Sequence, residues 1–374
     1  MGELTSLEIC AGAGGQALGL EQAGFTHEAV VEIDPDACET LRHNREWKVI
    51  EGDVANVDGR AYAHVDLVAG GVPCPPFSIA GKQLGEDDER DLFPQALRLV
   101  EEIRPRAVLL ENVRGLGTRR FDGYRAQVLS RLLDLGYATW WDLVHASDHG
   151  VPQLRPRFVL VAIKAAWARA FCWPGPRPAP PPTVGETLGD LMGARGWPGA
   201  EVWARQAAGI APTIVGGSKK HGGPDLGPTR ARAAWREMGV NGLGIADVAP
   251  GPDFPVGQPP KLTVGMVARL QGFPDDWQIT GRKTAAYRQV GNAFPPPVAR
   301  AMGSSIAAAL TGRTTAPPAA DTGHHASLRA VLAPGGPRHR CPREPSDSVT
   351  GFFGPMSPGG RPRTPPGTDF AASG

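Results

Sequence analysis

Two side chains stand out for the chemistry they could share. Cys74 lies in Gly70-Gly71-Val72-Pro73-Cys74-Pro75-Pro76-Phe77-Ser78, directly after an apolar run from Val65 to Ala69. Three prolines stiffen this loop and present one thiol. With a reference pKa of about 8.5, a thiol is only a few per cent ionised at neutral pH. A nucleophilic Cys74 therefore needs activation of its sulfur or of its target. Glu111, in Glu111-Asn112-Val113, directly follows a second apolar run, Ala107 to Leu110. A protonated carboxyl there could hydrogen-bond a ring nitrogen and make a nearby carbon electrophilic as sulfur approaches. Each residue alone also has a plain structural reading: Cys74 as a packed thiol, Glu111 as an N-cap or loop carboxylate. Two successive strand ends delivering a thiol and a carboxyl to one rim favour the chemical reading, because ligands bind at the carboxyl ends of parallel strands.

A second constellation lies near the N-terminus. Gly12-Ala13-Gly14-Gly15-Gln16-Ala17 follows a strand-like run, Leu4 to Cys10, and opens a helical pattern. Glycines let the backbone turn tightly and approach a ligand without a Cβ in the way. Glu32 closes the next strand, about twenty residues on, where a carboxylate can accept ribose hydroxyls. Asp53 follows a third strand-like piece and could face an adenine amino group. The turn satisfies G-x-G-x-x-A, so NAD, FAD and S-adenosylmethionine all fit it, as does a purely structural turn.

These groups need a scaffold at whose strand ends they can meet. Strand patterns at Leu4 to Cys10, Ala29 to Ile33, Val65 to Ala69, Ala107 to Leu110 and Phe158 to Ile163 alternate with helical ones. The helical stretches run from Ala17 to Ala23, Pro35 to Asn44, Phe93 to Ile103 and Tyr124 to Leu135. This order predicts an α/β fold with a doubly wound, mostly parallel sheet. After Trp173 the character changes. Pro174 to Pro182 is proline-rich, and the next ninety or so residues are rich in Gly and Pro with poor periodicity, which predicts a smaller, irregular domain. Helical pattern returns at Thr263 to Leu270 and at Pro297 to Leu310. Residues 313–374 hold eleven prolines and nine glycines, a level that predicts a disordered tail.

Bulk properties exclude several classes. The chain has 374 residues, enough for two domains or one with a large insertion. No run of 18 apolar residues is present, and Met1 to Leu7 shows no basic segment followed by an apolar one, so neither a membrane span nor a signal peptide is expected. The five cysteines are widely spaced without Cys-x-x-Cys, which argues against a disulfide framework and a metal site. Net charge is only +1, but Arg205 to Arg236 carries six basic residues against one acid, Asp225. Such a stretch suits a phosphate backbone, and equally a solvated loop face.

From Leu4 to Leu310 the chain resembles the DNA cytosine C5-methyltransferase family. Leu7-Glu8-Ile9-Cys10-Ala11-Gly12-Ala13-Gly14-Gly15 resembles its cofactor loop, Pro73-Cys74 its nucleophile motif, and Glu111-Asn112-Val113 its carboxyl motif. Gln153-Leu154-Arg155-Pro156-Arg157 resembles its Q-x-R-x-R motif. Arg269-Leu270-Gln271-Gly272-Phe273-Pro274 and Tyr287-Arg288-Gln289-Val290-Gly291-Asn292-Ala293 resemble its two late motifs. Six motifs in the family's order are specific, although single ones are not. Glu8 and Cys10 stand where the family more often has Asp and Phe, and Pro75 replaces a frequent Gln.

The resemblance implies a Rossmann-like methyltransferase fold, with S-adenosylmethionine as cofactor and no metal. It implies transfer of a methyl group to C5 of a cytosine flipped out of double-stranded DNA. Cys74, Glu111, Arg155 and Arg157 would be catalytic, the arginines helping to hold the base and brace the site. The cofactor would be held by Cys10, Ala11, Gly12, Gly14 and Gly15, by Glu32, Ile33, Asp53 and Val54, and by Pro73, Leu92, Asn292 and Ala293. DNA would be met by Ser78, Gln153, Lys219, Lys220, Arg230 and Arg232. The implied domains are 1–173 for cofactor and catalysis, 174–284 for target recognition, 285–312 returning to the catalytic domain, and the tail 313–374. A monomer in the bacterial cytoplasm is expected, held at the nucleoid through DNA and paired functionally with a restriction endonuclease. A tRNA cytosine methyltransferase shares these motifs. It usually has a short recognition segment with Cys-Phe-Thr, which this chain lacks. An NAD-dependent oxidoreductase leaves Cys74 and Glu111 unexplained, and the intact Cys and Glu argue against a silent DNA-binding regulator.

Overall fold

The structure, a computed structural model, describes residues 3–73, 91–216 and 225–312. Cys74, Ser78, Lys219, Lys220 and the tail therefore lie outside the described residues. Seven strands form one sheet in the order β3-β2-β1-β4-β5-β7-β6. They are β1 (Leu4–Ile9), β2 (Phe25–Glu32), β3 (Val49–Glu51), β4 (Leu67–Gly71), β5 (Ala107–Val113), β6 (Tyr137–His145) and β7 (Pro156–Lys164). The first five run parallel, and β7 inserts antiparallel between β5 and β6. β1, β4 and β5 are almost continuously buried because both faces of the sheet are covered.

One face carries α3 (Phe93–Ile103) and α4 (Asp122–Asp134), whose Phe93, Leu99 and Leu132 pack with Val68 and Leu110. The other carries α1 (Gly15–Gln22) and α11 (Pro296–Thr311), with Leu20, Met302 and Ile306 against Ala69, Leu109 and Val161. α2 (Pro35–Asn44) begins as its sequence predicts: Pro35 takes N1 and Asp34 caps the Asp36 amide. A single turn, α5 (Ala165–Ala168), follows β7.

Three differences from the periodicity reading have clear causes. β6 was not expected. Trp140 and Trp141 point to opposite, covered faces, so no simple apolar–polar alternation marks the strand. β5 runs three residues beyond Leu110, which places Glu111 inside the strand opposite Gly71 and Val159, not in a loop after it. The Gly- and Pro-rich stretch contains α6 (Val184–Gly193), α7 (Ala200–Gln206) and α8 (Thr229–Glu237). α6 starts on a capping box: the Thr183 hydroxyl accepts from the Glu186 amide at 3.2 Å, and the Glu186 carboxylate accepts from the Thr183 amide at 2.7 Å. These helices bury Leu188, Met192, Trp203 and Trp235 against α9 (Val264–Leu270) and α10 (Lys283–Asn292). Their core is aromatic and spread over short pieces, which hides it from any single helical window. Among the described residues, no helix is long and apolar enough to cross a membrane.

Candidate active site

The carboxyl ends of β1, β2, β4 and β5 open on a cavity of about 470 Å³, within the usual range for small-molecule and cofactor sites. Beyond β1 the chain turns through Cys10, Gly12 and Gly14, all at positive φ. The Gly14 amide donates to the Ala11 carbonyl at 2.9 Å, and the Ala11 amide to the Val31 carbonyl at 3.1 Å. Glu32, the last residue of β2, ties this turn down. One carboxylate oxygen accepts from the Gly12 amide at 2.7 Å, and the other from the Ile33 and Asp34 amides, each at 2.8 Å. Ile33 beside it is 63% exposed, so an aliphatic face stands at the rim.

Cys10, Ala11, Gly12, Glu32 and Ile33 line the cavity. Asp53 and Val54 join them from the loop after β3, Pro73 and Leu92 from either side of residues 74–90, and Asn292 and Ala293 from the end of α10. Gly14 and Gly15, expected to hold a cofactor, are not among the lining residues. A Cβ on Gly15 would come within 2.3 Å of the Phe294 carbonyl, and one on Gly14 within 2.8 Å of Leu41. These glycines let the late motif and α2 close onto the turn. Glu8, Gln16, Asp34, Arg288 and Gln289 also line the cavity and were missed. Glu8 carried a signal, a charge in the middle of an apolar strand. Arg288 pairs with Asp34 at 3.0 Å, while Gln289 accepts from Thr40 at 2.7 Å and donates to the Thr280 carbonyl at 2.9 Å. The C-terminal wall of the cavity is thereby pinned to α2.

Glu111 reaches the same cavity from β5. A Cβ on Gly71 would lie 3.4 Å from its carboxylate, so the acid lies against the end of β4, three residues before Cys74. Arg157, on the neighbouring β7, approaches Glu111 at 2.7 Å through Nε. Burial raises the Glu111 carboxyl above the usual carboxylate range; Arg157 and Arg155 pull it down by less. Asn112, adjacent in β5, donates from its buried amide to the Val72 carbonyl at 2.9 Å. It fixes the backbone two residues before the thiol, a positioning role not read from its sequence motif.

A family model for C-5 cytosine-specific DNA methylase matches residues 4–308. This chain belongs to that family. The methylase is 59% identical over 346 residues to the type II methyltransferase M.NaeI of Lentzea aerocolonigenes, spanning 90% of this chain and 82% of the relative. It is 55% identical over 312 residues to the type II methyltransferase M.NgoMIV of Neisseria gonorrhoeae, spanning 82% of this chain and 98% of that one. Among solved structures, the Entamoeba histolytica methyltransferase EhMeth superposes with a TM-score of 0.60 over 83% of this chain and 99% of that one; at 13% identity this likeness concerns the fold.

Two expected contacts of the methylase are relocated. Gln153, expected at DNA, is fully buried. Its amide donates to Gln271 at 2.8 Å and its carbonyl accepts from the Ile214 amide at 2.9 Å. Arg155, expected to help hold the base and brace the site, is also fully buried and donates to the carbonyls of Ile214 at 2.7 Å and Gly291 at 3.0 Å. Gln271 completes the cluster by donating to the Val290 carbonyl at 2.7 Å. Both side chains are withdrawn from solvent and join the 211–216 segment to α9 and α10. Arg232 leans toward Asp225 at 3.5 Å, whereas Arg230, in the first turn of α8, is exposed.

Proposed function

We propose that this methylase uses S-adenosylmethionine to methylate C5 of a cytosine rotated out of duplex DNA, as the modification enzyme of a type II restriction–modification system. The cavity fits that donor: it sets a carboxylate at a strand end, an aliphatic side chain on the rim and a second acid after β3. Glu32 would accept from the ribose hydroxyls, Asp53 would face the adenine amino group, and Ile33 would lie on the ring. When bound, S-adenosylmethionine supplies an electrophilic sulfonium methyl.

The remaining steps belong to the protein and the DNA. Extruding the base costs a few kcal/mol or so, offset by contacts in the site. Cys74 adds through sulfur to C6 while Glu111, as the acid, donates to N3 and draws electron density from the ring. Arg157 holds Glu111 in position. Negative charge collects at C5, which takes the methyl. Solvent water takes the C5 proton, the C6–S bond breaks as the C5–C6 double bond re-forms, N3 returns its proton to Glu111, and Cys74 leaves as the thiolate. Positioning a thiol and two substrates together is the largest contribution of the scaffold.

The observation that carries this reading is the buried Glu111 carboxyl, facing the cavity that Glu32 borders and lying against the strand that leads to Cys74. The names of M.NaeI and M.NgoMIV support the restriction–modification role. Expression in a methylation-free host followed by genome-wide mapping of 5-methylcytosine tests it. One short motif methylated throughout is expected; methyl label in tRNA with none in DNA overturns the reading.

A further inference from the structure

Glu8 sits in the middle of β1, between Leu7 and Ile9, and faces the cavity. It is fully buried, and among the described residues neither carboxyl oxygen has a hydrogen-bond partner. A buried charge without a partner is unfavourable, so such a group takes its neutral form. Burial accordingly pushes the Glu8 carboxyl well above its ordinary range, and the nearby Ala17 amide opposes this more weakly.

Its surroundings are poor in positive charge. Cys10 follows in the turn beyond the strand, Gln16 comes from α1, and Glu32, Asp53 and Glu111 line the same cavity. His27, on β2, is occupied by the Ser6 hydroxyl and the Ala17 carbonyl. Arg288 is the single cationic side chain in the lining among the described residues, and it is paired with Asp34. The wall is therefore built to receive a cation, and Glu8 is the acid in it with nothing to hold.

We propose that Glu8 is a proton-exchanging positioning residue for the cationic methionine end of the cofactor. It is a carboxylic acid until a cationic group arrives and a carboxylate once one is bound. The inference rests on the S-adenosylmethionine reading above. The step balances simply: the O–H bond of Glu8 breaks, the proton leaves to solvent, and the carboxylate remains beside the ammonium or sulfonium. Binding then releases up to one proton. Affinity rises with pH, up to tenfold for each unit, and levels off once Glu8 is ionised in the free protein.

Calorimetric titration of the full-length protein with S-adenosylmethionine, in buffers of differing ionisation enthalpy from about pH 5.5 to 7.5, tests this. Wild type should release close to one proton at the acid end. Glu8→Gln should release none and bind with a flat pH profile, while Glu111→Gln should keep the release. S-adenosylhomocysteine, which has the ammonium but no sulfonium, assigns the partner: equal release names the ammonium, lost release the sulfonium. Release by Glu8→Gln equal to wild type, or wild-type binding without release, overturns the inference and leaves the cofactor reading standing. Wild type that does not bind the cofactor removes both. Should Glu8→Gln fail to fold, difference infrared spectroscopy on Glu111→Gln decides: a protonated carboxyl band must disappear on binding, and its persistence overturns the proposal.

Discussion

The sheet and the 174–284 segment are both well packed, but they place their polar groups differently. In the sheet, acids gather at strand ends or face one cavity: Glu8, Glu32, Asp53 and Glu111 all line it. In the 174–284 segment, the interior is apolar and aromatic around Trp203 and Trp235, and charge sits outside, as at Arg230. The two meet through buried polar side chains, Gln153, Arg155 and Gln271, which bond to backbone across the junction. The contrast teaches that chemistry and proposed DNA reading occupy separable surfaces, whereas their mutual placement depends on a few buried hydrogen bonds that cannot be lost singly without leaving buried backbone groups unpaired.

Substitutions can break or sharpen this division. On the chemical side, Cys74→Ala should abolish methyl transfer while cofactor affinity stays within about twofold; methylation at a normal rate would remove the nucleophile assignment. Glu111→Gln should lower the single-turnover rate by about 10² to 10⁴ with little change in DNA affinity. An unchanged rate would make the carboxyl structural. At the junction, Arg155→Met leaves the Ile214 and Gly291 carbonyls without their donor and should destabilise the fold by about 2–5 kcal/mol in urea titrations. Rate and DNA affinity should fall together in that variant. If only one falls, the junction is not the shared support described here. On the reading side, Arg230→Ala should weaken DNA binding about three- to tenfold and reduce the salt slope by about one, with the rate at saturating DNA unchanged. A salt slope equal to wild type would place Arg230 outside the DNA contact.

Much of the catalytic half was legible in its local sequence. A βαβ order with apolar strand runs, Pro35 at a helix start and the glycine turn after β1 each arise from preferences that act over a few residues. The motif order from Leu7 to Ala293 pointed to the family, and Glu32, Asp53 and Glu111 face one cavity because parallel strands bring their carboxyl ends together. The 174–284 helices were harder to see, since their apolar residues cover one another only after several short elements converge.

What the sequence by itself determined, then, is the alternation of elements and the types of chemically able side chains at strand ends, since backbone propensity and apolar period are local. Only the tertiary structure decided the fates of individual polar groups. Arg155 is a buried brace because Gly291 lies against it from 136 residues downstream, and Gln153 is interior because Ile214 and Gln271 close over it. Gly15 is a packing residue because Phe294 returns onto it, and Glu8 is a buried acid whose oxygens have no hydrogen-bond partner among the described residues, because the strands and α1 close around it. Burial and hydrogen-bond partnership are properties of chain segments brought together from far apart, and no local window contains them.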